Sequence, residues 1–387
     1  MIYQFLDYLP LHAAPSFVQT AALSALACAV AFLLSILSGP KLIACLAALK
    51  AGQPIRLASE VHKLAELHGR KLGTPTMGGI LIIGPALLAT FLFVHPTNPY
   101  ILVCSGVTLA LAVLGLADDL LKVRKHTSEG LAGRVKLLVQ AAVSLLALSF
   151  LYFDDNQAAA AGLSDTGAMA RMPVGELVSN IYVPFYGVVD VGWLIIPFGA
   201  LVIVGTSNSV NLTDGLDGLA AGCTIACAIA YGALALAAGD ALFSSSEYLQ
   251  LPHHRDMSEL AVFCMTLVGA CLGFLWYNCH PARLFMGDTG SLALGGALGA
   301  VAVCTCQEIL LVIIGGVFVV ESCSVILQVG WFKYTRIFHG KGRRIFRMTP
   351  IHHHFELGGL KETQVIVRFW IAALILAVLG LSFLAVQ

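Results

Sequence analysis

The residues able to do chemistry sit in five short polar strings: "KLGTPTMGG" (71–79), "ADDLLKVRK" (117–125), "NLTDGLDGL" (211–219), "ARLFMGDTGS" (282–291) and "TPIHHHFEL" (349–357). Three of them carry the carboxylates Asp118, Asp119, Asp214, Asp217 and Asp288. Carboxylates brought together repel one another and need a cation between them. Hard oxygen donors without a Cys-x-x-Cys pair suit Mg²⁺ or Mn²⁺ better than zinc. Lys71, Lys122, Lys125, Arg134 and Lys136 lie close to these strings. A divalent ion, lysines and glycine-rich turns together describe a site for phosphate esters.

Each string also has a plainer reading. Asp118 and Asp119 could be a solvated helix end, although an acid at a helix C-terminus has the wrong sign for the dipole. "NLTDGLDG" could be a glycine-rich turn; if it is helical, two aspartates three residues apart share a face. "DTG" at 288–290 matches an aspartic protease triplet, but here it opens an apolar helix. Three consecutive histidines at 352–354 point in different directions and do not close on one zinc ion. "GTPTMGG" lacks the Gly-Lys-Ser/Thr ending of a Walker loop. Its small residues either offer backbone N–H groups to a phosphate or permit close helix packing.

Positioning these strings falls to helices in a membrane. The chain has 387 residues, 58% of them hydrophobic and 11% charged, and a mean hydropathy of +0.86. A soluble domain carries roughly 25% charged residues. The fold class expected is therefore an all-α polytopic membrane protein, one integral-membrane domain over 1–387. A span needs about 20 mostly apolar residues. Ten candidates follow: 17–38, 76–94, 100–117, 134–153, 193–209, 218–239, 259–277, 288–306, 309–332 and 364–386. The ninth contains Gly315-Gly316 and Glu321 and is expected to bend or break. The eleven cysteines are scattered singly and read as small packing residues. The first Lys is Lys41, so the first apolar run reads as a retained span, not a cleaved signal.

Lys and Arg set the orientation. The connections alternate between two sides, and of 22 Lys and Arg only Arg171 and Arg255 fall on the second. The first side is then the cytoplasm, with both termini on the periplasmic face. All five polar strings land on the cytoplasmic face, which the basic residues alone define. That placement sets aside the Asn211-Leu-Thr glycosylation sequon. On the periplasmic side, loop 154–192 carries alternation fit for a small surface hairpin. Loop 333–363 is cytoplasmic and holds the histidines.

Together the five strings resemble those of the polyprenyl-phosphate N-acetylhexosamine-1-phosphate transferases, in order and over essentially the whole chain. The resemblance implies transfer of a phospho-sugar from a UDP-linked donor to undecaprenyl phosphate, with release of UMP. "TPIHHHFE" is similar to the branch whose donor is UDP-N-acetylmuramoyl-pentapeptide and whose product is lipid I. It also implies Mg²⁺, a homodimer in the bacterial cytoplasmic membrane, and no nucleic-acid partner. By the same resemblance Asp288 is the metal ligand, and Asp118 and Asp119 are linked to the lipid phosphate and the metal. Asp214 is a required acid, and Asn211 and Asp217 are nucleoside-side positions. Phe285 stacks on uracil, Lys71 and Lys122 lie near the diphosphate with Thr76 beside them, and His352 and His353 lie near the phosphates. His126 stands where relatives often carry Lys. The resemblance gives no role to Glu321 or to segment 240–258. Two other function classes make different demands. A transporter needs essential charges near the bilayer midplane. An intramembrane protease needs paired aspartates deep within spans, where only Glu321 sits.

Overall fold

Helices account for most of the chain in the computed structural model, which describes residues 16–49, 73–125, 130–154, 174–240, 251–252 and 254–383. They are α1 (Ser16–Ala48), α2 (Ile80–Phe93), α3 (Pro99–Lys125), α4 (Gly133–Tyr152) and α5 (Val174–Val178), then α6 (Ile195–Thr213), α7 (Leu219–Ala238), α8 (Glu259–Asn278) and α9 (Gly287–Cys304). The last four are α10 (Leu311–Ile314), α11 (Gly316–His339), α12 (Ile351–Glu356) and α13 (Glu362–Phe383). Among the described residues, nine helices are long and apolar enough to cross a membrane, and α2 is apolar but has only 14 residues. This is a multi-pass helical membrane protein. Leu37, Leu138, Leu146, Leu201, Ile337 and Val378 turn outward, as a surface facing lipid tails requires.

Four expectations change. The first helix does not stop at 38 but runs to Ala48. The second span begins at Ile80 because residues 75–79 are drawn into an extended pairing: Phe285 N donates to Pro75 O at 2.8 Å, and Gly78 N to Phe285 O at 2.8 Å. The third helix does not end at 117 but runs to Lys125. Asp118 and Asp119 therefore lie within it, and the basic residues Lys122, Arg124 and Lys125 take the last turn, where the dipole favours them. The ninth span breaks at Gly315, as expected, but its second part reaches His339.

The centre of the bundle is α9, whose residues from Thr289 to Cys304 are all buried. Its sequence, "GDTGSLALGGALGAVAVC", is almost free of bulk. Apolar burial gives helices in lipid little net attraction, so small residues gain contact by letting backbones approach closely. α3 and α6 pack directly on α9. One turn below the polar end, Gln140 of α4 donates to Ser207 Oγ at 3.0 Å, and Ser207 Oγ donates to Leu292 O of α9 at 2.9 Å. Asn208 Nδ2 donates back to Gln140 Oε1 at 2.9 Å. These bonds fix α4, α6 and α9 in register.

At the opposite end lies the expected hairpin, β1 (Asn180–Val183) against β2 (Gly187–Asp190), antiparallel with Asn180 opposite Asp190. Tyr182 N donates to Cys306 O at 3.3 Å, so the hairpin is tied to the bundle. The described part of segment 240–258 packs here too, with the His254 ring 5.4 Å from that of Tyr100. Glu308 is buried at this end, and neither carboxyl oxygen meets a donor from another residue. Burial raises its pKa from 4.5 to about 8. A raised carboxyl stabilises the fold fully below pH 4.5 and loses that contribution as pH climbs to about 8. Glu308→Gln is expected to raise the thermal midpoint at pH 8.5 and leave it nearly unchanged at pH 4.5. Each kcal/mol recovered shifts the midpoint by about 2–4 °C. Equal shifts at both pH values in thermal unfolding scans would refute the assignment.

Candidate active site

Four helices deliver one cluster of charge. On α3, Asp118 and Asp119 precede Lys122 by four and three residues, so all three share a helical face. α9 offers Asp288 in its first turn. α6 offers Asn211 near its end, and α4 offers Lys136 near its start. Lys122 Nζ lies 2.7 Å from Asp118 Oδ2, 3.2 Å from Asp288 Oδ1 and 3.9 Å from Asp119 Oδ1. Lys136 Nζ lies 2.9 Å from Asp118 Oδ1 and 2.7 Å from Asp288 Oδ2. Asn211 Nδ2 donates to Asp288 Oδ1 at 3.1 Å and to Ser291 Oγ at 2.8 Å.

The adjacent aspartates do different work. Asp119 is committed to the backbone of α9. It accepts from Asp288 N at 3.2 Å, from Thr289 N at 3.0 Å and from Thr289 Oγ1 at 2.7 Å. That satisfies N–H groups which the first helical turn leaves unpaired, and it fixes Asp288 in place. Asp118 is buried under the chain that enters α4. Leu131 N donates to its Oδ1 at 2.6 Å, and Gly130 packs against the carboxylate. Its Oδ2 is buried and receives no aligned hydrogen bond, only the Lys122 ammonium contact.

The 214–218 turn joins this cluster to a second polar group. Asp214 closes α6 and is half-buried. Burial, then the carboxylates of Asp288, Asp119 and Asp217, push its pKa well above the usual range. Asp217 Oδ2 accepts from Ala282 N at 3.1 Å and faces His280 Nδ1 at 3.1 Å. Its own N–H donates to Glu362 Oε1 at 3.2 Å. Asp217, His280 and Glu362 therefore tie the turn to the 280–282 loop and to α13. The three histidines of α12 go three ways. His352 is buried, 3.1 Å from Glu321 Oε1 of α11. His353 Nδ1 pairs with Glu356 Oε2 at 2.7 Å, and His354 Nδ1 accepts from Arg347 N at 3.1 Å.

Among the sequence candidates, the structure brings Asp118, Asp119, Lys122, Asn211 and Asp288 into direct contact. Asp214, Asp217 and His352 lie along the adjoining turn. Thr76 is buried beside Gly287, close to Asp119. Phe285 is half-buried in the loop before α9, its backbone paired with 75–78. Lys71 and His126 lie outside the described residues. The two readings of "GTPTMGG" now separate for its last two glycines: Gly78 and Gly79 donate to Phe285 O and Met286 O at 2.8 and 2.9 Å, so their N–H groups are spent on packing. The sequence groups Lys136 only with the neighbouring basic residues, yet it bridges two carboxylates. A lone lysine one turn inside an apolar helix was the signal. Thr289, Ser291, His280 and Glu362 carried none.

The Asp118, Asp119 and Asp288 oxygens come within 4.8 Å of one another. Three hard oxygen donors, one of them buried without an aligned donor, fit a hard divalent cation. Three carboxylates against two ammonium groups also leave the cluster net negative. Such a group can hold a cation and lay lysines against phosphate oxygens.

A family model described as glycosyl transferase family 4 matches residues 101–306. A phospho-N-acetylmuramoyl-pentapeptide-transferase of Methylacidiphilum infernorum (isolate V4) is 47% identical over 354 residues, covering 91% of this chain and 90% of that protein. The protein of the same name from Syntrophus aciditrophicus (strain SB) is 46% identical over 359 residues, covering 92% and 91%.

Proposed function

The chain belongs to glycosyl transferase family 4, among its phospho-N-acetylmuramoyl-pentapeptide-transferases, and from that membership we propose that it moves phospho-N-acetylmuramoyl-pentapeptide from the UDP-linked precursor to undecaprenyl phosphate. The products are lipid I and UMP. The observation that carries the reading within this molecule is the Asp118–Lys122–Lys136–Asp288 cluster at one end of the bundle. It is a surface-end site, which suits an enzyme that meets a soluble nucleotide and a lipid phosphate together. The basic residues favour a cytoplasmic position for that end, in the cytoplasmic membrane of a bacterium, with both termini opposite. A homodimer belongs to the same proposal.

The reaction joins an oxygen of the lipid phosphate to the sugar-bearing phosphorus of the donor. The bond from that phosphorus to the bridging oxygen breaks, and the oxygen leaves on UMP. Such transfers depend mainly on alignment and charge neutralisation. The acceptor has a second pKa of about 6, so at neutral pH it is already mostly dianionic and a general base has little proton to remove. We therefore give Asp118 an aligning role. Asp288, flanked by Asp118 and Asp119, would hold Mg²⁺, which when bound supplies the positive charge that neutralises the diphosphate. Lys122 and Lys136 face phosphate oxygens, Asp119 keeps the start of α9 in place, and Asn211 holds the outer oxygen of Asp288. Asp214, on the adjoining turn, lies within the field of the same carboxylates.

The test is UMP release by purified protein in nanodiscs from UDP-N-acetylmuramoyl-pentapeptide. Release is expected only when undecaprenyl phosphate is present, and its absence with both substrates would sink the proposal. Chelation is expected to bring the rate to background, and added Mg²⁺ to restore it. A rate indifferent to chelator would remove the cation from the mechanism. A radiolabelled phospho-sugar trapped on the protein without acceptor would replace direct transfer by a two-step route.

A further inference from the structure

A buried pair behind the site has no role in the mechanism above. Glu321 lies on α11 and His352 on α12, and both side chains have 0% exposure. His352 Nδ1 is 3.1 Å from Glu321 Oε1. The other atom of each group, Glu321 Oε2 and His352 Nε2, is buried without a hydrogen-bond partner among the described residues. Nε2 packs directly on Gly215, at the turn that carries Asp214. Any side chain at Gly215 would displace the ring.

Net charge decides where the protons sit. A carboxylate beside a neutral imidazole would bury one uncompensated negative charge, the costliest arrangement in a low-dielectric interior. Three neutral arrangements remain. In one, a protonated carboxyl accepts from Nδ1–H; its acidic O–H then sits at Oε2 without an acceptor and the basic Nε2 is left bare, so the strongest donor and acceptor of the pair are both unused. In the other two the proton lies between the groups: the carboxylate pairs with an imidazolium, or a protonated carboxyl donates to Nδ1. In both of these, Nε2 carries a hydrogen. A carboxyl group on one ring nitrogen thereby sets the state of the other.

We propose that Glu321 is a positioning residue that keeps Nε2 of His352 protonated, so that a buried N–H donor faces the Asp214–Gly215 turn for a phosphate oxygen of the bound substrate. The donor role rests on the transferase reading; the proton placement does not. His353 meets His352 edge-on, with ring centroids 4.1 Å apart and planes inclined by 60°, but its own Nδ1 is taken by Glu356, so it does not compete for Glu321.

Two measurements test this. Histidine-labelled ¹⁵N spectra of the full chain in nanodiscs, with His352 assigned by its loss in His352→Asn, are expected to show a protonated Nε2. An unprotonated, acceptor-type Nε2 overturns the proposal, whether or not the protein is active. In the UMP-release assay, Glu321→Gln, whose amide can donate to Nδ1 and keep the hydrogen on Nε2, is expected to hold kcat within about threefold of the wild type. Glu321→Leu removes the partner at similar size and is expected to lower kcat about 10–100-fold, the usual effect of removing a ligand's orienting partner, with KM for the nucleotide donor within about threefold. In the His352→Asn background Glu321→Leu is expected to cost less than about threefold. A Glu321→Leu rate within threefold of the wild type, a Glu321→Gln loss equal to that of Glu321→Leu, or fully multiplicative losses, overturns the positioning role. Wild-type protein without UMP release would instead refute the transferase reading, and the spectral result would still stand.

Discussion

Asp288→Asn is expected to lower UMP release about a thousandfold or more, with the helical fold retained. Asp288 is the residue through which the cluster is joined. Lys122, Lys136 and Asn211 all reach its two oxygens, within 2.7–3.2 Å. The substitution keeps the shape and removes one charge, so the carboxylates of Asp118 and Asp119 are left exactly balanced in number by two ammonium groups. A neutral cluster loses its draw for a divalent cation. Preorganised charge aimed at a reacting phosphate is worth roughly 10²–10³ in rate for a single group, and loss of the cation adds to that. Excess Mg²⁺ is expected to recover part of the activity if cation binding is what fails. Circular dichroism and thermal unfolding of the variant control for the fold. A variant that retains a tenth of the wild-type rate would remove Asp288 from the centre of the mechanism.

The same cluster marks what the sequence could and could not disclose. Carboxylates at Asp118, Asp119 and Asp288 were legible because charge is rare in so apolar a chain, and the positive-inside bias put their strings on one face. The division of labour between Asp118 and Asp119 was not legible. It depends on α3 running on to Lys125, which places Asp119 against the first N–H groups of α9. Helix ends are weakly encoded when polar residues follow an apolar run, because the run gives the span and not the helix. The break at Gly315 was readable from paired glycines in a span. The fate of Gly78 and Gly79 was not, since it turns on residues 285–286, about two hundred positions away. Glu321 could be recognised as unusual, but its partner His352 lay in a different string and emerged only from the packing of α12 on α11.

Gly115→Ala is expected to lower UMP release about a hundredfold, although residue 115 carries no functional group. Gly115 lies three and four residues before Asp118 and Asp119, on the face that α3 turns toward α9. A methyl group there would collide with the backbone carbonyl of Asp288 and with Thr289 N. Those atoms begin a buried helix fixed by Asp119, Ser207 and the packing of α3 and α6, so they have nowhere to move. The helices must separate at the point where the carboxylates meet. A displacement of about 1 Å at a reacting centre can cost 10² in rate, while overpacking costs stability by about 1–3 kcal/mol. Gly106→Ala supplies the comparison: it is on the same helix, two and a half turns earlier, with no atom near its added methyl. It is expected to keep full activity and gain slightly in helix stability. If both alanines behave alike, the close approach of α3 to α9 does not set the geometry of the site. If only Gly115→Ala is impaired, the spacing between two backbones is as much a part of the catalytic apparatus as the aspartates it brings together.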